Sequence, residues 1–228
     1  MASLGAILLA AGSSSRMAGG DKLFLPLGGR PLLSHSLATF QASPLVGAII
    51  LVMSSENLER GQALASEGGF DKVAAVCLGG ARRQDSVRAG LAALPACDWV
   101  AVHDGARPLV TAGLIDAGLA AAQGTGAAVP AVRLSDTVKE AGADGIVRRT
   151  LDRELLWAVQ TPQFFRRDLL EEAHRKVQAD VTDDAAMLEA LGHEVAVFPG
   201  SPLNLKITTA DDLSLAEALL ALAASRNI

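Results

Sequence analysis

Small residues and two cations follow the first apolar run of the sequence, residues 4–10. Residues 11–15 read Ala-Gly-Ser-Ser-Ser, and Arg16 and Lys22 come next. Small side chains after a strand let backbone N–H groups bind phosphates, and the cations could neutralise a triphosphate. The spacing fits neither a Walker A loop nor a dinucleotide fold, which argues against a P-loop ATPase and a dehydrogenase. An isolated loop of this kind is better explained as an ordinary polar loop, but the run continuing through the Gly-Gly-Arg-Pro turn at 28–31 is far more specific.

A carboxylate, Asp104, follows the apolar run 99–103, and Arg107 comes three residues later. Magnesium takes only one or two protein carboxylates when it also binds phosphate oxygens, so Asp104 could hold Mg²⁺ against a triphosphate. Arg107 could fork onto a phosphate. An Asp104–Arg107 ion pair that braces a turn is an equally good explanation. We predict that His103 is a packed or turn histidine rather than a catalytic base.

A glycine pair at 79–80 opens a helical pattern that carries Arg82, Arg83 and Ser86. Gly80 can let a nucleotide base approach the backbone, and Ser86 is placed to hydrogen-bond that base. A helix N-terminus with exposed arginines is a plausible alternative.

Three later polar stretches, 157–164, 182–185 and 204–208, could each be a turn or a helix cap. Thr182 in particular resembles an N-cap residue. These stretches do not by themselves indicate a function.

The elements that must position these residues alternate between short apolar runs and amphipathic patterns. The apolar runs, which predict strands, are residues 4–10, 46–53, 72–77, 99–103, 127–132 and 194–198. The patterns that predict helices are residues 31–40, 56–67, 82–94, 111–123 and 211–224. Continuous apolar strands indicate burial on both faces and hence a mostly parallel α/β sheet. In such sheets ligands bind beyond the carboxyl ends of the strands, where the three polar motifs lie.

Composition restricts the classes of partner. Half of the 228 residues are apolar, and the net charge of −5 argues against a nucleic-acid binder. No apolar run approaches the ~20 residues of a membrane span. We therefore expect a cytoplasmic enzyme that binds no nucleic acid and no membrane.

One segment breaks the alternation of strand and helix. Residues 137–140 and 146–150 flank a turn-like stretch at 141–145, which predicts a β-hairpin. A lone two-stranded hairpin is marginally stable, so it must lie on something. A flap over its own domain and an arm around a second subunit are equally good interpretations.

Taken together, the motifs resemble those of the 2-C-methyl-D-erythritol 4-phosphate cytidylyltransferase family. In chain order they are Ala-Ala-Gly with Arg-Met and Lys, Gly-Gly with Arg and Ser-Val, His-Asp with Ala-Arg-Pro, Asp-Thr-Val-Lys, Thr-Pro-Gln-Phe, Thr-Asp-Asp-Ala and Asn-Leu-Lys-Ile-Thr. They run from about Leu8 to the last helix. The resemblance implies one Rossmann-like nucleotidyltransferase domain over 1–228, with a mostly parallel sheet, helices on both faces and a protruding β-arm at about 135–158 for homodimerisation. It also implies Mg²⁺-dependent transfer of CMP from CTP to methylerythritol phosphate in the non-mevalonate isoprenoid pathway.

The resemblance further implies a set of site residues. Arg16 and Lys22 would stabilise the transition state, and Asp104 would coordinate Mg²⁺. The CTP site would be lined by Ala10, Ala11, Gly12, Ser13, Ser14, Gly80, Arg83, Ser86, Asp104 and Gly105. Methylerythritol phosphate would be held by Arg107, Thr137, Arg153, Thr161, Thr182 and Lys206. Arg153 and Lys206 would position the nucleophile, with Thr137 and Arg153 supplied by the arm of the partner.

The sequence departs from the family pattern at the first loop and after the glycine pair. Ser14 stands where a second glycine is usual, and the loop is shortened between Arg16 and Lys22. Leu23 replaces a common glutamine, and Ala81 replaces a polar residue. These departures concern contacts to the ribose and base and leave the cationic pair intact.

Three other functions fit parts of the pattern. A cytidylyltransferase for ribitol 5-phosphate would share most motifs, although Ala106 favours methylerythritol phosphate. A metal-dependent glycosyltransferase could use Asp104 but would need the Arg16/Lys22 loop less. A non-catalytic nucleotide-binding module would need no second phosphate site at Arg153 and Lys206.

Overall fold

The architecture is an α/β fold, seen in a computed structural model that describes residues 3–12 and 22–226. Within them the strands are β1 (Leu4–Ala10), β2 (Pro26–Leu27), β3 (Arg30–Pro31), β4 (Val46–Met53), β5 (Val73–Leu78), β6 (Trp99–Asp104), β7 (Ala127–Arg133), β8 (Lys139–Ala141), β9 (Val147–Thr150), β10 (Trp157–Val159), β11 (Gln163–Arg166) and β12 (Ala196–Pro199). The α-helices are α1 (Leu32–Ala42), α2 (Leu58–Glu67), α3 (Arg83–Ala93), α4 (Ala112–Thr125), α5 (Arg167–Lys176), α6 (Asp184–Ala190) and α7 (Ala210–Arg226). Short 3₁₀ turns occupy Lys22–Phe24, Ser55–Asn57 and Arg153–Leu155.

The central sheet has eight strands and is mostly parallel, as predicted. Its order is β10-β7-β11-β6-β1-β4-β5, with β12 also paired to β7. Strands β1, β4, β5 and β6 form the parallel half, and β12 is parallel to β7. The antiparallel strands are β10 and β11, which pair with β7, and β11 also pairs with β6. Both come from stretches that the sequence analysis left as turns or caps.

Helices cover both faces of the sheet, as the resemblance implied. One buried cluster joins Leu8 of β1 to side chains of α1, α4 and α7. A second cluster joins Ile7 of β1 to side chains of α3, α5 and α6. Alternate side chains of a strand point to opposite faces, so a strand that is apolar at every position must be covered twice. Helix α4 packs directly on β11, because a Cβ at Gly118 would lie 2.0 Å from the Phe164 ring.

The hairpin predicted near 137–150 is present but shorter than predicted. Strands β8 and β9 form a separate two-stranded sheet with Lys139 opposite Thr150. Side chains of both strands are exposed, so this hairpin is not buried against the rest of its own chain.

The predicted N-cap at Thr182 is wrong by one residue. The carboxylate of Asp183 accepts a hydrogen bond from the Ala186 backbone N–H at 3.1 Å, and α6 begins at the next residue. An N-cap side chain accepts from the second or third residue of its helix, which Asp183 is placed to do.

Over the residues that the structure describes, no helix combines the length and the apolar character needed to cross a lipid bilayer.

Candidate active site

The carboxyl ends of neighbouring strands bring the predicted loops together. Leu9 of β1 lies opposite Asp104 of β6, and the Gly105 backbone N–H donates to the Leu9 carbonyl at 2.8 Å. The glycine pair after β5 reaches the same edge, because a Cβ at Gly79 would lie 2.4 Å from the Ala11 Cβ. Only glycine allows this close approach, and the backbone is left accessible beside the end of β1.

The first loop is described only at its two ends. Ala10, Ala11 and Gly12 continue from β1. The predicted site residues Ser13, Ser14 and Arg16 lie outside the described residues.

Lys22 begins a 3₁₀ turn that is held in place by the two residues after it and by a backbone hydrogen bond. Leu23 is buried in the core, and the Leu25 N–H donates to the Lys22 carbonyl. The Arg60 guanidinium lies 3.8 Å from the centre of the Phe24 ring, a cation–π contact. The turn therefore fixes the backbone from which Lys22 extends.

Asp104 is the electrostatic centre of the site. Its Oδ2 is 2.7 Å from Lys206 Nζ, and its Oδ1 is 3.5 Å from Arg83 Nε. Burial by itself would raise the pKa of Asp104, but the charges of Arg83 and Lys206 outweigh it and hold that pKa at about 2. Asp104 is therefore ionised at neutral pH and lies between two cations.

The Asp104–Arg107 ion pair that was one explanation of this motif is wrong. Arg107 Nη1 instead donates to the Asn204 carbonyl at 2.7 Å. The Ile207 N–H donates to the Ala106 carbonyl at 2.8 Å, which holds the segment around Lys206 onto the turn after β6. These two contacts place Lys206 against Asp104.

His103 is packed, as predicted. It is fully buried, with Nε2 3.2 Å from the Arg107 carbonyl and Nδ1 3.2 Å from Thr161 Oγ1. A carbonyl only accepts, so Nε2 carries the proton and Nδ1 accepts from the Thr161 hydroxyl. Thr161 Oγ1 also accepts from the Asp104 N–H at 3.0 Å, so Thr161 braces the Asp104 backbone.

This burial predicts an acid-labile contribution to stability. Burial lowers the pKa of His103 from 6.5 to about 4. Between those pH values the unfolded chain binds more protons, so the free energy of unfolding should fall as the pH falls from 6.5 to 4. Relative to His103→Gln, the parent should lose on the order of 3 kcal/mol by pH 4. Denaturant unfolding at several pH values tests this, and parallel curves for the two proteins would contradict it.

The predicted base-contacting residues form a closed turn in this structure. Ser86 Oγ accepts from the Gly80 N–H at 3.2 Å and donates to the Arg82 carbonyl at 3.4 Å. Of the two arginines, Arg82 lies on the surface and pairs with Asp85 and Asp180. The Arg83 side chain is instead half-buried between Asp104 and Asp184, so the alternative of an exposed arginine is wrong at this position.

Three predicted substrate residues do not join this cluster within one chain. Arg153 donates to the Ser135 carbonyl and lies near Glu154, and Thr137 is exposed. Both belong to the arm segment. Thr182 is exposed directly before the cap of α6.

Sequence reasoning missed roles for three buried polar residues. Asn204 Nδ2 donates to the Thr161 carbonyl at 2.9 Å and so joins two predicted substrate segments. Asp184 pairs with Arg83, and His174 contacts Asp184. The Thr-Asp-Asp-Ala and Asn-Leu-Lys stretches were signals for Asp184 and Asn204, whereas His174 sits in an ordinary amphipathic helix.

Comparison with known proteins places this arrangement among close relatives. The sequence profile of the 2-C-methyl-D-erythritol 4-phosphate cytidylyltransferase family matches residues 4–222. The enzyme of that name from Dehalococcoides mccartyi (strain CBDB1) is 50% identical over 217 residues, which cover 95% of this chain and 96% of the relative.

Solved structures agree with the sequence comparison. 4-diphosphocytidyl-2C-methyl-D-erythritol synthase from Anaerococcus prevotii is 30% identical with a TM-score of 0.85, over 96% of this chain and 99% of that one. 2-C-methyl-D-erythritol 4-phosphate cytidylyltransferase from Thermus thermophilus is 37% identical with a TM-score of 0.76, over 94% of this chain and 98% of that one.

Proposed function

The chain belongs to the 2-C-methyl-D-erythritol 4-phosphate cytidylyltransferase family, and from that premise we propose how its residues carry out the reaction. It is a nucleotidyltransferase of isoprenoid biosynthesis that transfers CMP from CTP to 2-C-methyl-D-erythritol 4-phosphate. The products are 4-diphosphocytidyl-2-C-methyl-D-erythritol and pyrophosphate. The observation that carries the residue assignment is the ionised Asp104 between Lys206 and Arg83 at the edge of the sheet.

The acceptor phosphate attacks the α-phosphorus of CTP in line, and pyrophosphate leaves. A phosphate monoester has a second pKa of about 6, so the nucleophile is already mostly dianionic at neutral pH and needs no general base. The buried, neutral His103 agrees with a mechanism that uses none. The protein must supply orientation and charge neutralisation.

Each charge has a separate task. Lys22 and Arg16 offset negative charge that grows on the transition state and on pyrophosphate. Lys206 and Arg153 position the acceptor phosphate. Arg107, Thr161, Thr182 and Thr137 complete the acceptor site, while the glycine turns and Ser86 surround the nucleotide.

We assign Mg²⁺ to Asp104. One ionised carboxylate at the carboxyl ends of the strands, where the triphosphate is proposed to bind, fits this ion, which takes most of its ligands from phosphates and water. When bound, Mg²⁺ would neutralise charge on the phosphate oxygens. The described residues contain no cluster of three or more His, Cys, Asp or Glu side chains that could hold a metal alone.

Asp104→Asn is expected to weaken the binding of the Mg²⁺ that the reaction uses, because the amide keeps the shape of the side chain but loses its charge. The Mg²⁺ concentration that gives half the maximal rate should rise. Steady-state rates measured over a magnesium titration at saturating CTP test this. An unchanged titration would remove Asp104 from the metal site.

We further propose a homodimer in which the segment 135–158 reaches the partner. The support is its exposure: Leu155 is 77% exposed, Ile146 59% and Val147 52%. Apolar side chains that extend from an otherwise unsupported hairpin favour contact with another protein surface. Arg153 and Thr137 would then enter the partner's site.

Substrate choice is tested by pyrophosphate release from CTP with each acceptor. We expect release with methylerythritol phosphate and far less with ribitol 5-phosphate or with no acceptor. Release with ribitol 5-phosphate alone would support the related cytidylyltransferase. Nucleotide binding without release would support a binding module, and sugar transfer from a nucleotide sugar would support a glycosyltransferase.

CTP is available inside cells, so we place the enzyme in the cytoplasm. Fractionation of the native organism, with the enzyme followed by antibody, tests this location.

A further inference from the structure

A chain of buried polar contacts continues from Asp104 to two side chains that have no role in the mechanism above. Arg83 Nη1 is 2.6 Å from Asp184 Oδ2, and His174 Nε2 is 2.9 Å from Asp184 Oδ1. Asp184 is 1% exposed and His174 is 4% exposed. Asp184 begins α6 and His174 lies on α5, so two helices converge on the guanidinium beside Asp104.

Asp184 is ionised in this arrangement. Burial by itself would raise the pKa of Asp184, but the charge of Arg83 and the hydrogen bond from His174 lower it. A carboxylate only accepts hydrogen bonds, so His174 Nε2 carries a proton and donates. One oxygen of Asp184 therefore binds a cation and the other binds a fixed donor.

The two carboxylates share Arg83 unequally. Its contact with Asp184 is 2.6 Å, whereas the approach of its Nε to Asp104 is 3.5 Å. Charge-assisted hydrogen bonds require the shorter distance, so Arg83 is bonded to Asp184 and only near Asp104. A guanidinium that forked onto both oxygens of Asp104 would occupy the atoms a cation needs.

Lys206, the other cation beside Asp104, is held differently. Its side chain is 45% exposed, whereas that of Arg83 is 27% exposed. An exposed lysine on a flexible stem can leave Asp104 when ligands bind. Arg83 has no such freedom, because Asp184 fixes it.

We propose that Asp184 and His174 are positioning residues, which hold the Arg83 guanidinium off Asp104 and so keep that carboxylate available to Mg²⁺. The inference rests on the proposed function, since it takes Asp104 as the metal ligand. The mechanism above assigns neither residue a contact with the substrates.

The test measures how much Mg²⁺ strengthens nucleotide binding. Calorimetry gives the affinity of the homodimer for α,β-methylene-CTP with Mg²⁺ and with EDTA, and the ratio is the magnesium enhancement. In Asp184→Asn the released Arg83 should bind Asp104 and compete with the ion. We expect the enhancement to fall about tenfold, within the usual range of coupling between sites.

A double variant separates this effect from general damage. Asp184→Asn with Arg83→Gln lacks the competing cation, so the enhancement should return to the parent value. A direct contact of Arg83 with the nucleotide cancels in the ratio when it is equally strong with Mg²⁺ and with EDTA. A purely structural role would lower the thermal midpoint and the fraction of binding-competent protein without changing the enhancement.

A second pair of variants tests the role of His174. It also tests the proposal if Asp184→Asn does not fold. His174→Gln keeps an amide donor for Asp184, whereas His174→Leu removes it. We expect the leucine variant to lose more of the enhancement than the glutamine variant. Equal enhancement in both would overturn the role of His174.

The outcomes distinguish the inference from its premise. If Asp104→Asn loses the enhancement but Asp184→Asn keeps it, the positioning role is wrong and the metal site stands. If Asp104→Asn keeps the enhancement, or the parent shows none, the metal site is wrong and the inference fails with it.

Discussion

Lys22→Ala is expected to lower kcat by ~10²-fold or more, as is typical when a preorganised charge is lost at the reacting centre. The effect should be on kcat rather than on folding. The 3₁₀ turn is anchored by buried Leu23 and by the Phe24–Arg60 contact, neither of which needs the lysine ammonium. Steady-state kinetics at saturating CTP and acceptor measure this.

A surface lysine provides the matched control. Lys176 lies on α5, is 53% exposed and pairs with Glu172, so Lys176→Ala should keep the parent kcat. A near-normal kcat in Lys22→Ala would show that this lysine does not stabilise the transition state. Unfolding curves should show that both variants are folded under the assay conditions, and the curve of Lys176→Ala should match the parent within ~0.5 kcal/mol, the range of ordinary surface substitutions.

Replacing residues 138–149 by a short flexible linker is expected to yield monomers and abolish turnover. The hairpin is separate from the main sheet and its side chains are exposed, so its removal should leave the fold intact. CTP should still bind, because the residues proposed to surround the nucleotide lie outside the replaced segment. Sedimentation, CTP calorimetry and turnover measure the three properties. A linker variant that stays dimeric and active would exclude this role of the arm.

Mixing two inactive homodimers asks whether the arm acts in the partner's site. In a heterodimer of Lys22→Ala and Arg153→Ala chains, shared sites place both lesions in one site and neither in the other. Activity should recover to about half per heterodimer if the sites are independent and the subunits exchange. Confirmed heterodimers without activity would mean that Arg153 serves its own chain.

Local patterns were sufficient to predict the parallel part of the fold. Strand β1 was predicted at its observed bounds, as was β4, because continuous apolar runs can only lie between two layers of helices. Strands β10 and β11 were missed. Both are short and run antiparallel, and β11 begins and ends with polar residues. Pairing with β7, and for β11 also with β6, makes them strands.

The sequence predicted which residues belong to the candidate site but not which of their side chains contact one another. Asp104 was singled out from its position at a strand end, and the partner considered for it, in one of two equally good interpretations, was the nearby Arg107. The observed partner, Lys206, is 102 residues away in sequence, and Arg83 and Asp184 are 101 apart. Such contacts depend on tertiary packing, which no local spacing specifies. The neighbouring Ile207–Ala106 hydrogen bond illustrates this, because it joins the two loops only once the sheet has formed.

The attack of the acceptor phosphate on the α-phosphorus of CTP is tested most directly by isotope labelling. Methylerythritol phosphate that carries ¹⁸O in its phosphate is incubated with CTP, Mg²⁺ and the enzyme, and the products are analysed by ³¹P NMR. The account predicts ¹⁸O in the bridge between the two phosphorus atoms of the CDP-alcohol and none in pyrophosphate. Label in pyrophosphate, or release of unlinked CMP with the acceptor unchanged, would contradict it.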